Sequence, residues 1–136
     1  MKEFEVNILA EDNVIYNGPC ESLVVPSSRG QYGILAEHCN MIGAIVPGAL
    51  TYRLPGQENQ ILAVSSGFVK IENNTVLVLV NTAERPEEID ANRAKHAAAV
   101  AKEEMLQKRS MREYRTAKAH LARALSRLKV KSYQGK

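Results

Sequence analysis

Hydrophobic and polar residues alternate along the first part of the chain. Phe4, Val6 and Ile8 alternate with charged or amide residues, and this period of two gives a strand one apolar face and one polar face. Further short apolar segments end at Gly, Pro or Asn-Asn turns; they cover residues 32–35, 44–46, 50–54, 61–65, 68–72 and 75–81. Asn17-Gly18 predicts a hairpin between residues 14–16 and 20–25, because both residues tolerate positive φ. Short strands of this kind predict a sandwich or flattened barrel.

From residue 87 to residue 134 the pattern becomes helical. All five prolines lie at or before Pro86, and every glycine except Gly135 lies at or before Gly67, so the strongest helix breakers are absent from this stretch. Apolar residues recur three and four positions apart, as expected for one face of a helix. The two stripes are Ala91, Ala94, Ala98, Ala101 and Met105, followed by Tyr114, Ala117, Leu121, Leu125 and Leu128.

The helical stretch is predicted to fold back on itself. Ser110 to Glu113 form a capping-box pattern that marks the start of a second helix near Met111. We therefore predict an α+β fold, with an N-terminal antiparallel β sandwich in residues 1–85 and a C-terminal antiparallel helical hairpin in residues 86–136. One continuous helix is the alternative, since the joint near residues 107–110 contains neither Gly nor Pro. Alanine buries little apolar area, so the hairpin should dock weakly. Weak docking is compatible with a conformational switch and equally with a marginally stable subdomain.

The charges divide between the two parts of the chain. Residues 107–136 hold ten Lys or Arg and one acid, a net charge of +9, whereas the remainder carries −6, which together give the overall +3. A segment of this charge favours an anionic partner, such as an acidic protein surface, nucleotide phosphates, nucleic acid or an anionic membrane. Nucleic acid is a disfavoured partner because few aromatic residues accompany the Lys and Arg residues. Insertion into a membrane is also disfavoured, because the apolar stripe is mostly alanine.

The sequence favours a non-catalytic, cytosolic protein. It contains no GxSxG, HExxH or phosphate-binding Gly-rich loop. His38 and Cys39 are adjacent and would point to opposite faces of an extended segment, so they do not predict one metal site. The N-terminus is charged and no apolar run reaches the length of a membrane span. Cys20 and Cys39 are expected to be reduced thiols.

Four motifs, in order, resemble the epsilon subunit of bacterial F-type ATP synthases. They are Phe4-Glu5-Val6-Asn7-Ile8, the run from Gly30 to His38, Ser66-Gly67-Phe68-Val69, and the run from Ala83 to Ala94. The resemblance covers essentially the whole chain. Asn40 and Ser66 depart from it, because Pro and Gly respectively are common there.

The resemblance implies a role in the rotating central stalk. The sandwich is expected to contact the gamma subunit and the ring of c subunits, on the cytoplasmic side of the cell membrane and without direct insertion, with Tyr32, Gly33, Glu37 and His38 among the contact residues. This subunit couples proton flow to ATP synthesis without being catalytic itself. The hairpin is expected to extend toward the alpha and beta subunits and restrain ATP hydrolysis. Its basic contact residues are predicted to be Arg109, Arg112, Arg115 and Lys118.

The resemblance also implies a nucleotide site. Ile89-Asp90-Ala91-Asn92-Arg93-Ala94 matches the family's nucleotide motif, and Glu84 stands at the spacing of the residue near the adenine. Arg123 and Arg127, one turn apart, are predicted to supply charge to the phosphates. ATP is thus expected as a regulatory ligand, with no cofactor required. The alternative is structural, with Asp90 capping a helix and Arg93 pairing with it.

Overall fold

The computed structural model describes residues 2–11, 13–107 and 111–132, with ten strands and two α-helices among them. The strands are β1 (Phe4–Ala10), β2 (Asn13–Cys20), β3 (Ser22–Ser27), β4 (Gly30–Leu35), β5 (Met41–Ile45), β6 (Gly48–Arg53), β7 (Asn59–Val64), β8 (Gly67–Glu72), β9 (Thr75–Val80) and β10 (Ala83–Glu84). A 3-10 turn at Pro86–Glu88 leads into the helices α1 (Ala91–Gln107) and α2 (Met111–Ser132). The predicted sandwich and helical hairpin are therefore confirmed.

Alternating apolar residues hold two five-stranded sheets face to face. The first sheet has the order β2-β1-β9-β8-β5, and the second sheet has the order β10-β7-β6-β3-β4. Side chains such as Ile8, Val78, Leu23, Leu50 and Leu62 are at most 1% exposed and belong to one cluster between the sheets. The strand pairs are antiparallel except β1 with β9, which run parallel.

The predicted strands are found, but the predicted hairpin at Asn17-Gly18 is wrong. Each of the six later apolar segments overlaps a strand, whereas Asn17 and Gly18 lie inside β2, opposite Asn7 and Val6 of β1. The chain then passes from the first sheet to the second beyond Cys20. Residues 20–25 therefore do not fold back on residues 14–16. Because Asn17 and Gly18 pair with β1, their backbone N–H and C=O groups lie in the sheet, where ladder hydrogen bonds can satisfy them.

The helices pack against each other, which excludes one continuous helix. Ala94, Ala98 and Ala101 of α1 are buried, as the small-residue stripe predicts. Residues 108–110, with the predicted cap at Ser110, lie outside the described residues. Leu125, a member of the second predicted apolar stripe, is 45% exposed rather than buried. The reason is that α2 packs on two neighbours, α1 and the second sheet, so its buried face does not follow one stripe.

Helix α2 covers the outer face of the second sheet. Val130 is fully buried in a small cluster with Ile89 and three residues of β6 and β7, which are Ala49, Ile61 and Ala63. These sheet residues are small or β-branched, so the helix can lie close to the strands. This contact places the second half of α2 beside β10 and the 3-10 turn.

Candidate functional site

A cleft of about 250 Å³ opens where the sandwich meets the helical hairpin. Its walls come from β10, the 3-10 turn, α1 and α2. The lining residues are Glu84, Glu88, Asp90, Arg93, Ala94, Ala97 and Arg127. Acidic and basic side chains thus face one polar cleft at the edge of the second sheet.

The acidic wall of the cleft is built from helix-capping groups. Asp90 Oδ1 accepts hydrogen bonds from the backbone N–H groups of Asn92 at 3.0 Å and Arg93 at 3.2 Å, and so caps the start of α1. Glu88 Oε1 accepts from the backbone N–H of Arg85 at 2.9 Å. These bonds occupy one oxygen of each carboxylate, and they hold the acidic wall of the cleft in place.

An ion pair joins the sandwich to α2 at the side of the cleft. Arg127 Nε donates to Glu84 Oε1, and both side chains remain about one third exposed at 33% and 30%. Lys131 Nζ, one turn further along α2, donates to the carbonyl of Pro86 at 3.1 Å. Two cations of α2 are therefore bonded to the segment that leads out of the sandwich.

The structure brings together five of the seven residues predicted for a nucleotide. Glu84, Asp90, Arg93, Ala94 and Arg127 line the cleft. Arg123 lines a separate, much smaller recess of about 10 Å³, which Glu84 and Arg127 also border. Ile89 is 4% exposed and belongs to the small apolar cluster that contains Val130 of α2.

Tyr32 and His38 lie together beside an exposed loop. The Tyr32 hydroxyl and His38 Nε2 are 2.7 Å apart, and their rings meet edge to face with centroids 5.6 Å apart. His38 Nδ1 is 2.8 Å from the carbonyl of Cys39. Gly33 lies on the edge strand β4, and Glu37 is exposed in the loop that follows it. The four residues predicted to bind a partner thus share one end of the sandwich.

The basic residues predicted on the hairpin lie on the solvent side of α2. Arg112, Arg115 and Lys118 are exposed and recur every three residues, whereas Ala117 on the opposite side is fully buried. Their spacing puts the three charges on one broad face of the helix. Arg109 lies outside the described residues.

The outer face of the first sheet carries an apolar row that the sequence analysis missed. Val14, Leu9, Leu79, Phe68 and Ala44 are successive neighbours across five strands. Val14 is 62% exposed, and Phe68 and Leu79 are 37% and 36% exposed. The signal was present in β9, because residues 75–80 read TVLVLV and so are apolar on both faces of the strand.

The whole chain matches known proteins. The β-sandwich domain of the ATP synthase delta/epsilon chain matches residues 3–86, and its long α-helix domain matches residues 87–132. The chain belongs to the ATP synthase epsilon chain family. Epsilon chains are non-catalytic subunits of the ATP synthase complex.

Individual members of the family are similar over nearly their full length. The ATP synthase epsilon chain of Ruminiclostridium cellulolyticum is 39% identical over 94% of this chain and 95% of its own. That of Caldanaerobacter subterraneus is 38% identical over 96% of this chain and 95% of its own. The similarity therefore includes both the sandwich and the hairpin.

Solved structures share the fold at low identity. A chain in the cryo-EM structure of Euglena gracilis mitochondrial ATP synthase, OSCP/F1/c-ring, has a TM-score of 0.79 at 20% identity, covering 88% of this chain and 76% of that chain. A chain of the Tetrahymena thermophila mitochondrial ATP synthase central stalk/c-ring has a TM-score of 0.68 at 12% identity, with coverages of 96% and 98%. Within the described part of this epsilon chain, neither helix is both long and apolar enough to span a membrane.

Proposed function

We propose that the chain is a central-stalk rotor subunit of a proton-translocating ATP synthase, bound peripherally on the cytoplasmic side of the cell membrane. Its sandwich binds the gamma subunit and the ring of c subunits, and so helps to couple proton flow to ATP synthesis. The family membership supports this role. The observation that carries it is the uncovered apolar face of the first sheet.

That face has the properties of a protein contact. The outer face of the second sheet is covered by α2, but the corresponding face of the first sheet exposes Phe68 and Leu79. Contiguous exposed apolar residues on a protein surface mark contact sites for other proteins. Because a flat sheet presents its alternate side chains in rows, a partner can cover the whole row at once. We assign this face to the gamma subunit.

Introducing a charge tests the assignment. Leu79→Glu should abolish co-purification with the gamma subunit at moderate salt, because burying an unpaired carboxylate in the contact is costly. Val100→Glu on α1 is the matched control, since Val100 is 39% exposed and Leu79 36%. It should leave the complex intact. No complex with the unchanged protein, or equal binding by both variants, would contradict the proposal.

The basic face of α2 supports a regulatory role for the hairpin. Arg112, Arg115 and Lys118 attract acidic surfaces of the alpha and beta subunits, and this contact restrains ATP hydrolysis. Exposed charges are screened by salt, so inhibition should weaken as ionic strength rises. Replacing all three residues by alanine should raise the rate of hydrolysis by the assembled complex. The control is the double variant Lys95→Ala with Lys102→Ala at exposed positions of α1, which should leave the rate of hydrolysis unaltered. An unchanged rate in the triple variant would argue against a contact between the basic face of α2 and the alpha and beta subunits.

A second function, ATP sensing, is supported by the cleft. ATP in this cleft is contacted by residues of both α1 and α2, so it favours the state in which the hairpin lies against the sandwich. Arg93 is an exposed cation of α1 that lines the same cleft as Arg127 of α2. A ligand that contacts both helices in the cleft has a higher affinity for the docked hairpin than for the extended one. This difference in affinity is what a ligand needs in order to change the populations of the two states.

Calorimetry on the isolated protein tests this function. ATP should release or absorb heat with the unchanged protein, and Arg93→Ala should remove the signal. Lys95→Ala, two residues along the same helix and also exposed, should retain it. The absence of heat at millimolar ATP would dismiss the site.

A further inference from the structure

The loop between β4 and β5 contains a strained residue. Glu37 has a φ of +65°, in the left-handed region that residues other than glycine rarely adopt. Such a conformation persists only where neighbouring groups hold it. The groups that hold this loop lie in the two-residue turn between β8 and β9.

Asn74 bonds the loop to one end of the first sheet, where β8 and β9 turn and β1 begins. Its side-chain Oδ1 accepts from the backbone N–H of Glu37 at 2.7 Å, and its Nδ2 donates to the carbonyl of Glu3 at 3.0 Å. Its own carbonyl accepts from the backbone N–H of Glu5 at 3.3 Å. One half-buried asparagine thus connects the loop, the turn and the start of β1.

Asn40 makes the reciprocal bond from the far end of the loop. Its side-chain Oδ1 accepts from the backbone N–H of Asn73 at 3.0 Å. Asn73 and Asn74 have φ values of +51° and +60°, as a tight hairpin turn requires. The loop is therefore held at both ends by a turn whose own shape is fixed by strand pairing.

We infer that Asn74 and Asn40 are positioning residues for the rotor contact, holding Glu37 and His38 in their binding arrangement before a partner arrives. The inference rests on the proposed binding of the sandwich to the rotor, together with the expectation from the family resemblance that Glu37 and His38 are among the contact residues. A loop ordered in advance does not lose conformational freedom on binding, so affinity is higher than for a loose loop. Asn74 itself need not touch the partner.

Hydrogen exchange on the isolated protein tests the first step. Asn74→Gly removes the side chain while glycine retains the positive φ of the turn, so exchange at the Glu37 amide should become at least roughly tenfold faster. Asn74→Asp keeps an acceptor oxygen and should preserve slow exchange. Asn81→Ala, at the other end of β9, is the control and should change nothing at Glu37. Unaltered exchange in Asn74→Gly would overturn the inference.

Binding to the rotor tests the second step. The probe is a membrane vesicle that contains the c ring and gamma subunit but no epsilon chain. Asn74→Gly should bind roughly tenfold more weakly, and Asn74→Asp should restore most of the affinity.

The outcomes separate this inference from the function on which it rests. Faster exchange at Glu37 with unchanged affinity would show that the held loop does not position the contact, which overturns the inference alone. If the unchanged protein does not bind the vesicles, the rotor function fails, and the positioning role fails with it. The exchange result would then establish only how the loop is held.

Discussion

Val130→Ala isolates the contact between α2 and the second sheet. Val130 is fully buried against Ala49, Ile61, Ala63 and Ile89, and alanine removes two methyl groups. Their transfer from water is worth about 1.6 kcal/mol, and the space left behind adds up to about 1 kcal/mol. We expect docking to weaken by about 2 kcal/mol, which increases the undocked population roughly 30-fold.

Limited trypsin digestion measures that population. Cleavage after Arg127 requires α2 to leave the sheet, so its rate tracks the open fraction when closing is fast. Val100→Ala is the matched control: it makes the same change in helix propensity at a side chain that is 39% exposed. The sandwich should keep its melting temperature in both variants. Equal cleavage rates in the two would refute the reasoning that Val130 holds the hairpin down.

Four further outcomes follow from single positions. Gly67→Ala should lower the melting temperature by roughly 10 °C, since a Cβ there would lie 2.0 Å from a carbonyl of β9, whereas Gly33→Ala, with nothing within 4 Å, should not. Burial raises the pKa of the Cys20 thiol; above about pH 8.5 the unfolded chain therefore ionises first, and the free energy of unfolding in denaturant titrations should fall with rising pH, less steeply in Cys20→Ala. Iodoacetamide should modify the exposed Cys39 only. Glu84→Gln should increase tryptic cleavage of α2 by at most about fivefold, and less at high salt, because this ion pair is one third exposed.

Local patterns predicted the strands and helices well because period and turn residues act over short distances. No local sequence pattern predicts the pairing of β1 with β9, because the two strands are far apart in the chain and meet only when the sheet is assembled. Asn17-Gly18 shows the opposite case, in which a strong local turn signal yields to a strand that pairs along its full length. Turn chemistry favours a hairpin only when the flanking segments are each other's neighbours.

The candidate site was only partly accessible from sequence. The capping role of Asp90 follows from its position before a helix. The family resemblance named Glu84 and Arg127 as separate nucleotide residues, and it did not predict the ion pair between them that joins β10 to α2. The exposure of Leu125 was not predicted, because the rotation of α2 is set by the sheet beneath it, and the sequence pattern of the helix alone does not contain that information.

The parallel pairing of β1 with β9 also bears on the order in which the chain folds. Glu5 pairs with Thr75, so β1 cannot take its place in the complete first sheet until β9 has been synthesised. The local hairpins β3–β4 and β6–β7 can form earlier, because their strands follow one another closely. The helices emerge afterwards and meet a finished sheet surface. Their attachment is therefore expected to be a late and separate step, which can reverse without opening the sandwich.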